Sequence, residues 1–571
     1  MGPGNSIADA LGVDAETFDV VVIGSGAAGL FAAIVARQAG LSVVLLEKTR
    51  WFGGTTAYSG GGVWLPGHHH LPGLKQTDDF DTARRYLGAI SNGQLDPSRV
   101  AAYLETAPEV AQYLEQHTQV RFNPVRIPDY SPDAEGAVAG RTMLTQPFDG
   151  RLLGKWLSKL RAPLPAFTLF GSMQVDQLEL ARFRNALHSP KDFLFSAKRF
   201  ASFFFDRLRA GRSTRLTNGN ALAARLLKTA VDEGIDLRSG ARVVRLIRSD
   251  GRICGVEVEQ GASPTRIGAR HGVVIATGGF AGNAALVAKY MPMPESHVAI
   301  APEGNTGEGI ALAEQVGGSL TPDNFMNGIW APVSSLRDKD GRPIKSCPHF
   351  GVDRAKPGSL IVDGGGRRFA DEAEPYQKLV TTMVERGIGQ AWMIGDKTFL
   401  QRYGMGMALP RPFSHRAMLK AGYLHRGDTV RDLAIRIGVD PAALEATIER
   451  FNSQAADGVD DDFNRGGNRH DRAAGDPAVR PNPNLAPLAT APYYAIALNP
   501  GNVSSTVGLR ASIDGQVLDD KSIPIAGLYV AGLDQESPFR GLYPSGGASL
   551  GGAFVGAFRA ARHIVAHARN S

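Results

Sequence analysis

The sequence predicts an α/β protein, a parallel sheet with helices on its faces, interrupted by an inserted α+β unit. Three observations carry this. Phe18 to Ile23 is a β-branched apolar run that ends in Gly24-Ser-Gly26-Ala-Ala28-Gly29. A helix-compatible stretch from Leu30 to Gln38 follows, and Ser42-Val-Val-Leu-Leu-Glu47 is a second apolar run closing on an acid. Near the far end, Pro524-Ile-Ala-Gly-Leu-Tyr-Val-Ala-Gly532 repeats the strand-then-glycine form. Strand, helix and strand in that order require parallel pairing through a crossover. The expected division is 1–318 for the first part of a nucleotide-binding domain, 319–488 for the inserted substrate domain, and 489–571 for the return.

The bulk numbers bound the partners. At 571 residues the chain can build two or three domains. Sixty-two Lys and Arg against 56 Asp and Glu give a net charge of +6. They form no concentrated basic stripe, so no nucleic-acid partner is expected. Cys254 and Cys347 alone cannot form a disulfide framework and fit a reducing cytoplasm. No apolar run of about 18 residues predicts a membrane span. Met1-Gly-Pro-Gly-Asn-Ser does not begin a secretory leader.

Taken in order, the first glycines have separable tasks. Gly24 permits a tight turn, Gly26 lets the backbone approach a pyrophosphate, and Gly29 lets helix and strand pack closely. The helix N-terminus beginning near Ala28 offers N–H donors to the phosphates. Glu47 stands where an acid accepts from ribose hydroxyls. The next stretch, Lys48-Thr-Arg-Trp-Phe-Gly-Gly54-Thr55-Thr56-Ala-Tyr-Ser59-Gly60-Gly61-Gly62, is glycine-dense. Such backbone suits a cofactor whose pyrophosphate, ribityl chain and ring lie along it, which favours FAD over NAD. No second comparable fingerprint follows a strand elsewhere.

Further on, Asp78 to Gln116 carries helical periodicity, and Asn123 to Leu152 reads as a long loop over a site. Arg242 to Ile247, Gly255 to Val258 and Gly272 to Ile275 read as strands. Val244 on the first, and Thr277-Gly278-Gly279 after the last, are expected against the dinucleotide. Leu320 to Ala486 loses the alternation, and 455–487 reads as a surface excursion. Finally Gly541-Leu-Tyr543-Pro-Ser545-Gly-Gly547-Ala-Ser549-Leu550-Gly551 should bring a tyrosine and exposed amides to the cofactor's reactive ring. I.e., two distant glycine segments indicate a flavin enzyme acting on a carbonyl compound.

Together the 47–66 segment, Gly358-Ser-Leu-Ile-Val, Arg368-Phe-Ala-Asp-Glu372 and the Tyr543 segment resemble the 3-ketosteroid dehydrogenases, within the fumarate reductase and succinate dehydrogenase flavoprotein superfamily. The resemblance implies removal of a hydride and a proton from adjacent carbons beside a ketone. It implies that the Tyr543 hydroxyl and the Gly547 N–H polarise that ketone, that Tyr376 takes the α-proton, and that Tyr130 assists. It implies Asp534 near the ribityl chain, although Leu533 stands where the family usually has Asn. Ser545 resembles the Δ4-(5α) branch, where that hydroxyl takes part in proton transfer, whereas Δ1 enzymes carry Tyr-Pro-Gly-Pro-Gly. The implied substrate is a hydrophobic cyclic ketone, first a steroid and second a cyclohexanone-type ring, with an unidentified electron acceptor. A fumarate-reductase-like C=C reductase is the rival activity, but its arginine and histidine clamp is not found in 320–486.

Other features read plainly first. Arg141 matches the family pattern without an assigned role, and Arg540 reads as a solvated surface residue. His68-His69-His70 reads as non-metal, since three adjacent side chains do not easily converge on one ion. Lys191 to Arg209, with five phenylalanines at 193, 195, 200, 203 and 204 and another at 205, reads first as a helix on the protein's own core. Its second reading is a peripheral membrane contact, which would make a cytoplasmic protein membrane-associated.

Overall fold

The structure is a computed structural model that describes residues 15–570 except 177–178, 180–181, 184–185, 187–188, 262–263 and 352. Its first sheet has Glu16–Ile23 at the centre. That strand runs parallel to Val43–Glu47 on one side and to Pro264–Ile275 on the other. Asp236–Ser239 extends the sheet beyond Val43–Glu47, and Pro524–Val530 pairs in parallel with the end of Pro264–Ile275. Val20 and Val22 join one core cluster while Val21 and Ile23 join another. A strand buried on both faces needs apolar residues at every position, which is why it reads as an unbroken run.

One face is covered by the helices Ala27–Gln38, Asn218–Asp232 and Ala548–Asn570, with Phe31 set 5.3 Å from Phe554 and 5.9 Å from Phe558. The C-terminal helix therefore locks the returning segment onto the first βαβ unit.

A second, antiparallel sheet runs Pro343–Pro348, Gly328–Arg337, Tyr493–Ser505, Ala391–Asp396, Ser359–Val362. Its central strand, Tyr493–Ser505, falls in the segment expected to return to the first sheet. Asn499-Pro-Gly-Asn502 inside it obscures the strand pattern. Val298–Ala299 also pairs with this strand, so the sheet draws on both sides of the expected insertion.

Two further readings change. The 123–152 segment contributes Thr142–Thr145, which pairs with Gly62–Trp64 and with Phe122–Pro124. The 455–487 segment is no surface excursion throughout: Asp471 and Asn484 are fully buried, and Arg465 nearly so. Its polar residues serve internal bonds, such as Arg465 to Glu372 and to the Ser359 carbonyl, so polarity there did not signal solvent.

Candidate active site

A cavity of about 970 Å³ lies where the two sheets meet and is lined by both glycine segments. At Gly24 φ is +105°, and a Cβ would sit 2.2 Å from the Ala276 carbonyl oxygen. A Cβ at Gly29 would sit 2.0 Å from the Gly24 carbonyl oxygen. Gly29 thus works beneath the wall as a packing residue, as its predicted task requires. Gly26 caps the Ala27–Gln38 helix without a side-chain bond, so the helix N-terminus opens on the cavity. Those donors and the positive end of the helix dipole suit a pyrophosphate.

Around this cradle Glu47 is buried, and it accepts from the Ser25 hydroxyl at 2.6 Å and the Thr49 amide at 2.9 Å. Lys48 donates to Thr306 and Glu308. Thr56 accepts from the Ala27 amide at 2.9 Å, and Ser59 holds the turn by donating to the Thr56 carbonyl. Ala28, Gly54, Thr55, Gly60, Gly61, Thr277 and Gly278 also line the cavity. Val244 and Gly279 do not. Ala241 and Val243 take the wall beside Val244, whose backbone is skipped in the ladder to the next strand. Asn305, absent from the sequence reading, donates to Thr55 at 2.8 Å and to the Gly278 carbonyl at 2.6 Å. It carries no local pattern; its contacts arise only when distant loops meet.

Asp534 corrects an expectation. Its carboxylate is fully buried off the cavity and accepts from the Thr277 hydroxyl and the Gly278 and Gly279 amides at 2.9–3.1 Å. It shapes the Ala-Thr-Gly-Gly turn instead of reaching a ribityl chain. Burial pushes its pKa upward, against the pull of those donors.

At the other end of the cavity three tyrosines converge. Ring centroids lie 5.6 Å apart for Tyr130 and Tyr376, 5.8 Å for Tyr376 and Tyr543, and 6.0 Å for Tyr130 and Tyr543. Tyr376 starts the Tyr376–Glu385 helix, and its ring packs against both neighbours. Burial, then its neighbours, raises the Tyr376 pKa well above that of free tyrosine, and burial raises that of Tyr130. Tyr543 lies 3.2 Å from the Ser549 hydroxyl, oxygen to oxygen. Gly547, at φ +93°, lines the wall with Ser549 and Leu550; a Cβ there would meet the Gly62 carbonyl carbon at 2.5 Å.

Ser545 is the second correction. It is fully buried, 3.2 Å from the Thr142 hydroxyl, and off the cavity wall. The turn that presents Tyr543 points the serine inward.

The loop carrying Tyr130 is pinned from below. Arg141 is fully buried, with Nη2 2.6 Å from Asp78 and Nη1 2.6 Å from Asp129. Asp129 also accepts from Trp64 Nε1 at 3.0 Å. Tyr130 N–H donates to the Pro544 carbonyl, as does the Tyr86 hydroxyl. Arg141 therefore holds Tyr130 against the Tyr543 turn, the role the sequence left blank. Behind the tyrosines stand groups the sequence reading missed. Phe350 lies 4.9 Å from Tyr376 and His470 lies 5.2 Å from Tyr130, centroid to centroid. Arg354 is fully buried, and burial lowers its pKa. Burial and the adjacent Asp471 push the Asp371 carboxyl upward.

The histidine run splits. His68 turns to the Gly140 carbonyl at 2.7 Å, while His69 and His70 both reach Glu115, at 2.8 and 2.6 Å. Three adjacent histidines do not converge, but two of them and a carboxylate bring ligand atoms within 4.8 Å of one another, an arrangement that could hold a metal ion. Arg540 lies over the Phe325 ring and donates to the Asp323 carbonyl, away from the cavity.

A βαβ unit with a glycine-capped helix over a glycine turn, a buried acid and a long glycine-lined cleft defines a dinucleotide-binding flavoprotein. A family of FAD-binding domains matches residues 19–550. The chain is 36% identical over 560 residues to 4-oxocyclohex-2-ene-1-carboxylate 5-dehydrogenase of Sinomonas cyclohexanicum, covering 96% of this chain and 93% of that one. It is 33% identical to 3-oxosteroid 1-dehydrogenase of Mycolicibacterium smegmatis, covering 97% and 98%. Among solved structures, 3-ketosteroid delta1-dehydrogenase of Sterolibacterium denitrificans with 1,4-androstadiene-3,17-dione superposes with a TM-score of 0.88 at 34% identity, covering 97% of this chain and all of that one. The chain belongs to this FAD-binding family, in its 3-ketosteroid dehydrogenase branch, and is a FAD-dependent oxidoreductase.

Proposed function

We propose that this enzyme desaturates a cyclic ketone, taking a proton from the α-carbon and a hydride from the neighbouring carbon. The observation that carries the reading is the convergence of Tyr130, Tyr376 and Tyr543 with Gly547 on one cavity wall, continuous with the FAD cradle. FAD, when bound, supplies the hydride acceptor. Gly24, Gly26, Ala28, Glu47, Thr55 and Thr56 are the residues that would hold it.

The ketone oxygen accepts from the Tyr543 hydroxyl and the Gly547 amide. As the α-proton leaves, its electron pair moves toward that oxygen, and two donors stabilise the growing negative charge. The proton goes to Tyr376 Oη. Because burial raises the Tyr376 pKa, a resting tyrosinate is not the base. Tyr376 instead takes the proton as its own phenol proton passes to Tyr130, whose ring lies 5.6 Å away. The Tyr130 phenol proton in turn passes to solvent through the cavity that both residues line. The double bond forms as the hydride departs. Leu164, Phe167, Leu169 and Phe350 line the cavity and suit an apolar ring system, so a 3-ketosteroid is the first substrate and a cyclohexanone-type ketone the second. Ser545, off the wall, favours 1,2- over 4,5-desaturation.

The test is anaerobic mixing of the yellow protein with a saturated 5α-3-ketosteroid and, separately, with 4-oxocyclohexanecarboxylate. Bleaching of the flavin with a 1-ene steroid product is expected. A 4-ene product would overturn the regiochemistry, and bleaching by the small ketone alone would overturn the steroid. No bleaching with either would sink the ketone reading.

A further inference from the structure

The Pro190–Ala210 helix turns its apolar side outward. Its buried residues are Ser196, Arg199 and Phe203. Phe193, Leu194, Phe204, Phe205 and Leu208 are 59%, 70%, 68%, 63% and 74% exposed. This overturns the expectation that the helix packs its phenylalanines on the core. At 3.6 residues per turn these five, with Phe200, share an arc of about 140°. Lys191, Lys198 and Arg209 flank one edge of that arc and Arg207 the other. The two acids of the helix face the protein: Asp192 pairs with Arg182 at 2.9 Å, and Asp206 accepts from the Thr214 amide and hydroxyl. The outer face is thus apolar at its centre and basic at its rim.

Its place matters as much as its composition. Phe200 lies 5.6 Å from the Phe170 ring, which lies 6.0 Å from Phe413. Phe170 is itself half exposed and directly follows Phe167, Thr168 and Leu169 on the cavity wall; Leu409 and Pro410, close before Phe413, line it too. The exposed face therefore continues into the wall of the substrate cavity.

We propose that this helix lies flat on an anionic phospholipid surface, its phenylalanines and leucines in the acyl boundary and its lysines and arginines among the headgroups. A contiguous apolar arc of this size is uncommon on a monomer's open surface. An apolar face with a Lys/Arg rim is the composition that binds lipid interfaces, and the absence of outward carboxylates on this helix matches a negative surface. No described helix is long and apolar enough to cross a membrane, so the contact is peripheral. The delivery of a lipophilic ketone from the bilayer into the cavity rests on the proposed function; the lipid contact does not.

The flavin-loaded full chain is sedimented with phosphatidylcholine vesicles, with and without phosphatidylglycerol. Binding to the anionic vesicles, weakened by salt, is expected. Phe204→Glu with Leu208→Glu should lower the bound fraction by about tenfold or more, with flavin content, circular dichroism and turnover of dissolved ketone unchanged. Lys198→Glu with Arg209→Glu should reduce binding to anionic vesicles only. Failure of the parent to bind either vesicle, or equal binding by the Phe204/Leu208 variant, overturns the proposal. So does a concentration-dependent dimer that the same variant dissolves, seen without vesicle binding. Because sedimentation needs no turnover, a failed lipid contact and a failed ketone reading show up separately.

Discussion

Replacing Tyr543 with Phe removes one oxygen and leaves the ring that packs 6.0 Å from Tyr130 and 5.8 Å from Tyr376. The lost oxygen's partner is the Ser549 hydroxyl at 3.2 Å, on a half-buried residue that can turn to water. Folding stability should therefore change by no more than about 1 kcal/mol. Turnover should change far more. In the proposed reaction the ketone oxygen gains charge against two donors, and losing one such donor costs roughly 100- to 1000-fold, or about 3–4 kcal/mol of barrier. The Gly547 amide would remain, so activity falls without vanishing. The assay is stopped-flow flavin reduction at saturating ketone, with the flavin-to-protein absorbance ratio confirming an intact cradle. Tyr376→Phe, run alongside, removes the proton acceptor and should slow reduction at least as much. Both variants reducing within about threefold of the parent, a barrier change of under about 0.7 kcal/mol, would refute the assigned roles.

Three further outcomes follow from the same geometry. Gly24→Ala must fit a Cβ 2.2 Å from a carbonyl oxygen at φ +105°, so the purified protein should emerge largely colourless, read from the same absorbance ratio. Arg141→Met leaves Asp78 and Asp129 buried without their cation, and the denaturant midpoint should report a loss of about 3–5 kcal/mol. His68 is buried; it donates to the Gly140 carbonyl and accepts from the His70 amide on its other nitrogen. Burial depresses its pKa to about 4. A depressed histidine contributes stability that is present above its unfolded value near 6.5 and is lost as pH falls toward 4. Equilibrium unfolding between those limits should show the parent losing up to about 3 kcal/mol more than His68→Gln.

The first sheet and the FAD cradle were legible in the sequence because their constraints are local. A strand buried on both faces must be apolar throughout, and Gly24 must be glycine because its φ is positive and a carbonyl lies where a Cβ would go. The second sheet was less legible, since its central strand carries Pro500 and Gly501. The tyrosines could be named only through resemblance. Positions 130, 376 and 543 share no spacing, and only the docking of three distant segments brings them within 6.0 Å of one another. The direction of a side chain was likewise decided by tertiary structure. Asp534 and Ser545 sit where the pattern placed them, yet one turns to the Thr277-Gly278-Gly279 turn and the other to Thr142. The same holds for the Pro190–Ala210 helix, whose amphipathic pattern is set by sequence but whose apolar face was assigned the wrong neighbour. Periodicity fixes which residues share a face, and only the packing of the whole chain fixes what that face meets.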